Sequence, residues 1–168
     1  MARIEHARLL EVLHYSPETG VWTWVVSPKF TTIKIGDRAG SQRKSDGYCK
    51  LDVDGTRYEA GPLIWFYMTG VWPTSKIDHK DKDPDNNRWV NIREATDGQN
   101  QMNRGLQINN TSGYKGVCWN KLRGLWMAYI GGASCGRRKT IGYYATPQEA
   151  NEARTRMAIA IYGREFAQ

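Results

Sequence analysis

A short central stretch of the chain carries side chains that could hydrolyse a phosphodiester bond. Asp78 and His79 are adjacent, and the carboxamides Asn91 and Asn100 follow them. Carboxylate and amide oxygens are the ligands that a hard ion such as Mg²⁺ prefers. An imidazole titrates near neutral pH and can act as a general base. The combination therefore indicates a phosphodiesterase site that uses one divalent metal ion, Mg²⁺ or Mn²⁺.

The order of these residues predicts a role for each of them. Asp78 is the best candidate for a metal ligand, and Asn100 could supply a second oxygen. In an extended chain His79 points away from Asp78, so we expect it to take a proton from water instead of binding the same ion. Asn91 could hydrogen-bond the His79 imidazole or brace the loop. The metal ion would stabilise the charge on the phosphorane and on the leaving 3′ oxygen.

A calcium loop is the other interpretation of the same stretch. Asp81, Asp83 and Asp85 alternate along the chain. An EF-hand loop requires Gly at its sixth position and Glu at its twelfth, where this chain has Asn86 and Ile92. We therefore interpret the three aspartates as a solvated acidic loop.

The elements around the candidate residues predict a ββα unit. Residues 76–79 form the first predicted strand, Trp89 and Val90 open the second, and residues 93–102 form the helix. Upstream, the patterns of apolar and turn residues predict further elements. These are a helix at 4–14, strands at 21–26 and near 33–35, a hairpin of 48–53 and 56–59 around Asp54-Gly55, and an apolar helix at 62–68 that Gly70 ends.

The C-terminal third predicts a three-stranded antiparallel meander followed by one helix. The strands are expected at 114–119, 125–130 and 139–144, with residues 131–136 separating the last two. Thr146 and Glu149 form a capping-box pattern that begins a helix running to about Tyr162. The helix should place one apolar face on the sheet, formed by Ala150, Ala153, Met157 and Ile161. The whole chain is predicted to be α+β, with domains at 1–104 and 113–168 and a linker at 105–112.

The charge of the chain is concentrated in one segment. The net charge is +7, and residues 98–148 contain no Asp or Glu but seven Lys and Arg. A solubility bias is the simpler explanation. Clustered cations without competing carboxylates are also what binding to a polyanion requires.

Several classes of protein are disfavoured by composition. No apolar run approaches the roughly 18 residues of a membrane span, and the first residues lack the apolar stretch of a secretory signal. The three cysteines have no CxxC spacing, which argues against a disulfide framework or a zinc site. We therefore expect a cytoplasmic protein that does not associate with membranes.

The stretch DHKDKDPDNNRWVNIREATDGQNQMNRG resembles the HNH endonucleases of the phage and intron-encoded homing type. The resemblance extends over about residues 48–104. It implies that Asp78 and Asn100 are metal ligands, that His79 is the general base and that Asn91 is the middle asparagine of the motif. The family usually has His-Arg at the start of the apolar helix, where this chain has Gly61 and Pro62.

Residues 110–167 resemble the ethylene-response-factor (Apetala-type) DNA-binding domain through SGYKGVCWN, GLWMAYI and TIGYYATPQEANEARTRMAIAIYG. In that family a three-stranded sheet packs on one helix and enters the major groove. Arginines of the plant pattern are replaced at Cys118, Asn120 and Thr140, so the base preference is not carried over. The matched positions that could reach DNA are Lys115, Trp119, Asn120, Lys121, Arg123, Trp126, Tyr129, Arg138 and Thr140.

Together these features predict a homing-type DNA endonuclease that acts on double-stranded DNA in a bacterium or a phage-infected host. One active site per chain implies a monomer that nicks one strand. Two alternatives stay open. Gly61 and Pro62 cannot bond a phosphate through their side chains, which suits a cleavage-deficient, repressor-like DNA-binding protein. The basic face could also serve a structural RNA-binding protein.

Overall fold

Small antiparallel sheets and helices build an α+β chain, as predicted. The computed structural model describes residues 3–29, 31–131 and 138–166. Within these residues there are four α-helices, and none has the length and apolar character needed to cross a bilayer. The chain divides into two compact units, Met1–Glu94 and Ala95–Gln168.

The first unit contains two helices, three small sheets and a short 3₁₀ helix. Its sheets have the strand orders β1-β2-β3, β4-β5-β6 and β7-β8. The elements are α1 (His6–Val12), β1 (Leu13–Tyr15), β2 (Trp22–Trp24), β3 (Arg38–Ala39), β4 (Ser41–Gln42), β5 (Cys49–Val53), β6 (Thr56–Glu59), α2 (Ala60–Thr69), β7 (Lys76–His79), the 3₁₀ helix (Trp89–Asn91) and β8 (Ile92–Ala95).

The predicted hairpin and apolar helix are confirmed. Asp54 and Gly55 have φ of 47° and 76°, the left-handed values that a type I′ turn requires. The following helix α2 buries Leu63 and Ile64 completely in the core of the first unit. Gly70 ends it in the left-handed conformation, with φ of 73°.

Two predictions near the N-terminus are wrong. The helix ends at Val12, because Leu13 pairs with Trp24 across the first sheet instead of continuing the helix. The strand expected near 33–35 is absent from the described residues, since Gly36 has φ of 88° and the Lys34 N–H donates to the Asp37 side chain. Its place beside β2 is taken by β3.

The second half of the predicted ββα unit also differs. Residues 89–91 form a 3₁₀ helix, and residues 92–95 form strand β8 where a helix was expected from Arg93. Helix α3 (Asp97–Asn103) begins only after Thr96, whose hydroxyl accepts a hydrogen bond from the Gln99 N–H. This capping box fixes the start of the helix and leaves Arg93 in a strand.

The second unit contains the predicted meander and its helix. Strands β9 (Val117–Asn120), β10 (Leu125–Ile130) and β11 (Lys139–Tyr144) form one antiparallel sheet in the order β11-β10-β9. Helix α4 (Pro147–Tyr162) has the predicted capping box and is followed by a 3₁₀ helix, Arg164–Phe166. Most of the predicted 131–136 connection lies outside the described residues.

The buried face of α4 differs from the predicted one at its C-terminal end. Ala150 and Ala153 are buried as expected, but Ile161 is 50% exposed. Arg154 and Ala158 are buried instead. The division of the chain at Glu94 places α3 in the second unit, while the linker predicted at 105–112 stays a prediction.

Gly61 sets the closest approach between α2 and β7. A Cβ at this position would lie 2.9 Å from Cγ2 of Ile77, closer than real Cβ contacts. Ile77 is β-branched and therefore has little freedom to move aside. The missing side chain thus lets the helix pack against the strand that carries Asp78 and His79.

We predict that Gly61→Ala lowers the free energy of unfolding by about 1 kcal/mol, because overpacking outweighs the helix preference of alanine. Urea denaturation measures the change. Gly105→Ala is the control, since nothing lies within 4 Å of a Cβ there. Equal stability of Gly61→Ala and the wild type would contradict this account of the contact.

Candidate active site

A buried ion pair joins the two strands that carry the candidate residues. Asp78 is 7% exposed and Arg93 is 9% exposed. The Arg93 Nε lies 3.0 Å and its Nη2 2.9 Å from the same carboxylate oxygen, Oδ2 of Asp78. Since β7 and β8 are neighbours in one sheet, the pair fixes the carboxylate between them. Arg93 was in the quoted motif, but no role was assigned to it from the sequence.

His79 is held by an asparagine that sequence reasoning did not assign. The imidazole is 5% exposed, and its Nε2 lies 3.1 Å from Oδ1 of Asn87. The Asn87 Nδ2 donates to the Asp85 carbonyl, which fixes the orientation of the amide. Oδ1 of an amide only accepts, so Nε2 carries the proton and Nδ1 is the basic nitrogen of the neutral ring. The edge of the ring faces Tyr48, with ring centroids 5.8 Å apart.

The backbone of Asn87 is itself anchored. The buried Tyr15 hydroxyl donates to the Asn87 carbonyl over 2.7 Å, and burial raises the pKa of Tyr15. Gly20 lies so close that a Cβ would be 2.5 Å from the carbonyl carbon of Asn87. The turn after β1 therefore supports the residue that orients His79. The only sequence signal for Asn87 was its asparagine in the quoted motif.

Asn91 braces the loop, which is one of the two roles considered for it. Its Oδ1 accepts from the Asp81 N–H at 3.1 Å, and its Nδ2 donates to Oδ1 of Asp81 and to the carbonyl of Asn86. Burial alone would raise the pKa of Asp81, but hydrogen bonds from the Asp83 N–H, Asn86 and Asn91 outweigh it and hold that pKa below its usual value. The loop between β7 and β8 is thus internally hydrogen-bonded.

The candidate metal ligands fall in different units. Asp78 lies on β7 of the first unit, and Asn100 lies half-buried on α3 of the second. A single buried carboxylate is compatible with the usual coordination of Mg²⁺, which binds one or two protein carboxylates and keeps several waters. Within residues 3–29, 31–131 and 138–166, no group of three or more His, Cys, Asp or Glu is placed to hold a metal.

The candidate DNA-binding residues lie on both faces of the C-terminal sheet. Trp119 and Trp126 are cross-strand partners whose rings lie 5.2 Å apart. They share the face of Val117 and Ala128, which packs against α4. Tyr129 alternates with these residues along β10 and therefore points to the opposite face.

The opposite face carries exposed cations beside aromatic rings. The Arg138 guanidinium lies 3.9 Å from the Tyr129 ring centroid. The Arg123 guanidinium lies 4.4 Å from that of Tyr143. Thr140 is the cross-strand partner of Tyr129 on this face. A flat surface of rings and guanidinium groups suits contact with nucleic acid.

The remaining candidates lie at the edges of the sheet. Asn120 ends β9, and its Oδ1 accepts from the Arg123 N–H at 3.0 Å. Lys121 is exposed in the turn that follows. Lys115 is half-buried and donates from Nζ to the carbonyls of Met102, at 2.5 Å, and Arg104. Lys115 therefore caps the C-terminal end of α3.

Comparison with known proteins identifies the central stretch. Residues 62–102 match the family model described as HNH endonuclease, and this segment includes all four candidate catalytic and metal-binding residues. Residues 62–102 are therefore similar to the HNH endonuclease family. The family typically uses a divalent metal ion.

The chain is also similar to Protein 3.8 of Escherichia phage T7, with 38% identity over 68 residues. The match covers 40% of this chain and 56% of the T7 protein. This chain therefore spans little more than half the length of that relative. No solved structure matches the chain. The ethylene-response-factor resemblance of the second unit stays a prediction.

We predict that Arg93→Met lowers the free energy of unfolding by about 3–5 kcal/mol, because it removes the positive charge of Arg93 from a buried carboxylate. Arg57→Met is the control, since the Arg57–Asp52 pair is 66% and 60% exposed and solvent screening should make its contribution to stability much smaller. Asp78→Asn combined with Arg93→Met should recover part of the loss. Equal effects at Arg93 and Arg57 in urea denaturation would contradict the buried pair.

Proposed function

We propose that this protein is a homing-type DNA endonuclease that hydrolyses one phosphodiester bond with a single Mg²⁺ or Mn²⁺ ion. The observation that carries the proposal is the buried Asp78-His79 pair, in which Asn87 orients the imidazole. The HNH match over residues 62–102 supports it. A carboxylate for a metal ion and an imidazole for a proton stand next to each other on one strand.

The chain contributes oriented polar groups to this chemistry. Asp78 and Asn100 would hold the ion, which supplies positive charge to the phosphate and the leaving oxygen. His79 would take a proton from water at Nδ1, because Nε2 donates to Asn87. Asn91 would act indirectly, because its hydrogen bonds hold the loop between β7 and β8 in the conformation that positions His79.

Double-stranded DNA would bind the second unit through the open face of its sheet. Tyr129, Arg138 and Thr140 lie on this face, and Asn120, Lys121 and Arg123 lie at its β9–β10 end. The acid-free segment 98–148 supports this assignment, since it contains no carboxylate to repel phosphates. Lys115, Trp119 and Trp126 would contribute from the sheet edge and the other face.

The proposal extends to setting and assembly. A monomer with one HNH site would nick one strand, in the cytoplasm of a bacterium or a phage-infected host. The similarity to a T7 phage protein supports the phage setting.

A cleavage-deficient DNA-binding protein is the second candidate. Two observations favour it. Gly61 and Pro62 replace the His-Arg of the family pattern, and both contacting nitrogens of Arg93 occupy Oδ2 of Asp78. Specific retardation of DNA in a gel without nicking under Mg²⁺, Mn²⁺ or other divalent ions would establish this candidate.

We predict that the wild type nicks supercoiled plasmid carrying the neighbourhood of its own gene when Mg²⁺ or Mn²⁺ is present. His79→Ala should lower the rate by about 10²- to 10⁴-fold, the usual contribution of a general base. Asp78→Asn should lower it at least as far while keeping an oxygen for Arg93. Asp83→Asn, in the exposed part of the same loop, is the control that keeps activity. Nicking that survives Asp78→Asn would exclude the site.

We predict that DNA affinity falls steeply with salt, because cations on the sheet neutralise phosphates. Arg123→Ala and Arg138→Ala should each reduce the slope of log K against log salt by about 1. Gel retardation or fluorescence anisotropy at several salt concentrations measures this slope. Asp78→Asn should leave it unchanged. An affinity that is independent of salt would contradict the assigned face.

A further inference from the structure

A buried arginine in the second unit lacks a counter-charge. Arg154 projects from α4 and is only 4% exposed. Its Nε has no hydrogen-bond partner, and its Nη2 contacts the Met102 sulfur at 3.1 Å. A thioether is a weak acceptor, whereas a guanidinium group offers five donors and stays charged. The strongest ordinary partners of such a group, carboxylates and phosphates, are both absent from its described contacts.

Among the residues that the structure describes, no carboxylate forms an ion pair with Arg154. The groups that act on its pKa are burial, which lowers that pKa, and the phenols of Tyr162 and Tyr129, which act in the opposite direction. The exposed Glu152 of the same helix pairs with Arg156 instead. Residues 132–137, which are not described, contain no Asp or Glu in their sequence. The positive charge is therefore available to an anion from outside the chain.

Arg154 lines a cavity of about 390 Å³ that lies within the second unit. No acidic residue is among the described residues that line it, whereas Arg104, Lys115 and Arg138 line it together with Arg154. Arg104 and Arg138 are exposed at its rim, and Lys115 is bound to backbone carbonyls. The buried Arg154 guanidinium is thus the group that has donors to offer a ligand.

Gly116 lies against this guanidinium. A Cβ at this position would stand 3.4 Å from the Arg154 Nε and 2.6 Å from the Tyr129 carbonyl oxygen. Gly116 also has φ of 67°, which favours glycine. The absence of a side chain therefore lets the backbone pass close to both the Tyr129 carbonyl and the Arg154 Nε.

The size and walls of the cavity favour more than an inorganic ion. Its volume falls within the roughly 300–1,000 Å³ of small-molecule sites. Tyr129 and Tyr162 line it, as do the carboxamides of Gln107 and Asn109. Phenol rings can stack on a base, and carboxamides can both donate to and accept from its edge.

We propose that this cavity binds a nucleoside phosphate, with the phosphate on the Arg154 guanidinium and the nucleoside against the tyrosine and carboxamide walls. A planar guanidinium recognises phosphate through paired hydrogen bonds. The ligand is either a free nucleotide or a phosphorylated end of a single DNA strand, which share this chemistry. The site uses none of the residues proposed for cleavage, but it shares Lys115, Tyr129 and Arg138 with the proposed DNA-binding surface.

The test compares binding by the full-length chain and two variants of neighbouring arginines. Arg154→Met removes the buried charge, and Arg156→Met removes an exposed charge from the same helix, where the Arg156 side chain is 72% exposed. Isothermal calorimetry in an anion-poor buffer would use dAMP, inorganic phosphate and a single-stranded oligonucleotide with and without a 5′-phosphate. Asp78→Asn serves as a further comparison and should bind like the wild type.

We expect dAMP to bind the wild type and Arg156→Met equally, and Arg154→Met about 10- to 100-fold more weakly. Arg154→Met should fold, because an apolar side chain of similar length removes an uncompensated buried charge. Its unfolding temperature in the anion-poor buffer, measured by circular dichroism, should be no lower than that of the wild type.

The remaining comparisons decide whether the ligand is a free nucleotide or a strand end, and they can contradict the proposed site. Tighter binding of the oligonucleotide with a 5′-phosphate than of the one without it, lost in Arg154→Met, would assign the site to a strand end. Equal binding of the two oligonucleotides, with dAMP binding that depends on Arg154, would assign it to a free nucleotide. If dAMP bound no more tightly than inorganic phosphate, the claim that the cavity walls bind the nucleoside would be contradicted. Equal dAMP binding by Arg154→Met and the wild type, or loss of folding in Arg154→Met without anion, would overturn the proposal.

Discussion

The buried contact between Asp78 and Arg93 is the interaction on which the first unit's site depends. Taking either charge out of water alone would be strongly unfavourable, so the two side chains hold each other between β7 and β8. Side chains alternate along a strand, so this pairing also sends His79 to the other side of β7. There the imidazole hydrogen-bonds Asn87, and Asn91 fixes the loop that positions Asn87. One electrostatic constraint thereby separates the carboxylate proposed to bind a metal ion from the imidazole proposed to transfer a proton.

The two units use positive charge in different ways. In the first unit Arg93 is neutralised within the protein, and its role is to position a carboxylate. In the second unit the cations face solvent or a cavity with no carboxylate among its described lining residues, as Arg138 and Arg154 do. Arginine that is already paired stabilises structure, whereas arginine without an internal partner favours external anions. This difference fits the proposed function, in which the second unit also binds phosphates.

Local signals in the sequence predicted the elements that depend on local chemistry. The turn at Asp54-Gly55, the end of α2 at Gly70 and the capping box at Thr146 all lie where expected, because each is decided by a few neighbouring residues. The start of β1 at Leu13 was missed because it depends on pairing with β2, which lies outside the local helical pattern. The helix expected from Arg93 failed for the same reason, since tertiary contacts overrode its helical preference.

The sequence predicted which residues form the candidate site but not the contacts that hold them. Spacing and motif pointed to Asp78, His79 and Asn91, yet the partners Arg93 and Asn87 became visible only when the loop closed. The central claim is that these groups cleave DNA. It is tested most directly by strand-resolved mapping of DNA ends after incubation of the gene's own neighbourhood with protein and Mg²⁺ or Mn²⁺. The account predicts a break at one position in one strand with a free 3′ hydroxyl, and intact DNA under every divalent ion would contradict it.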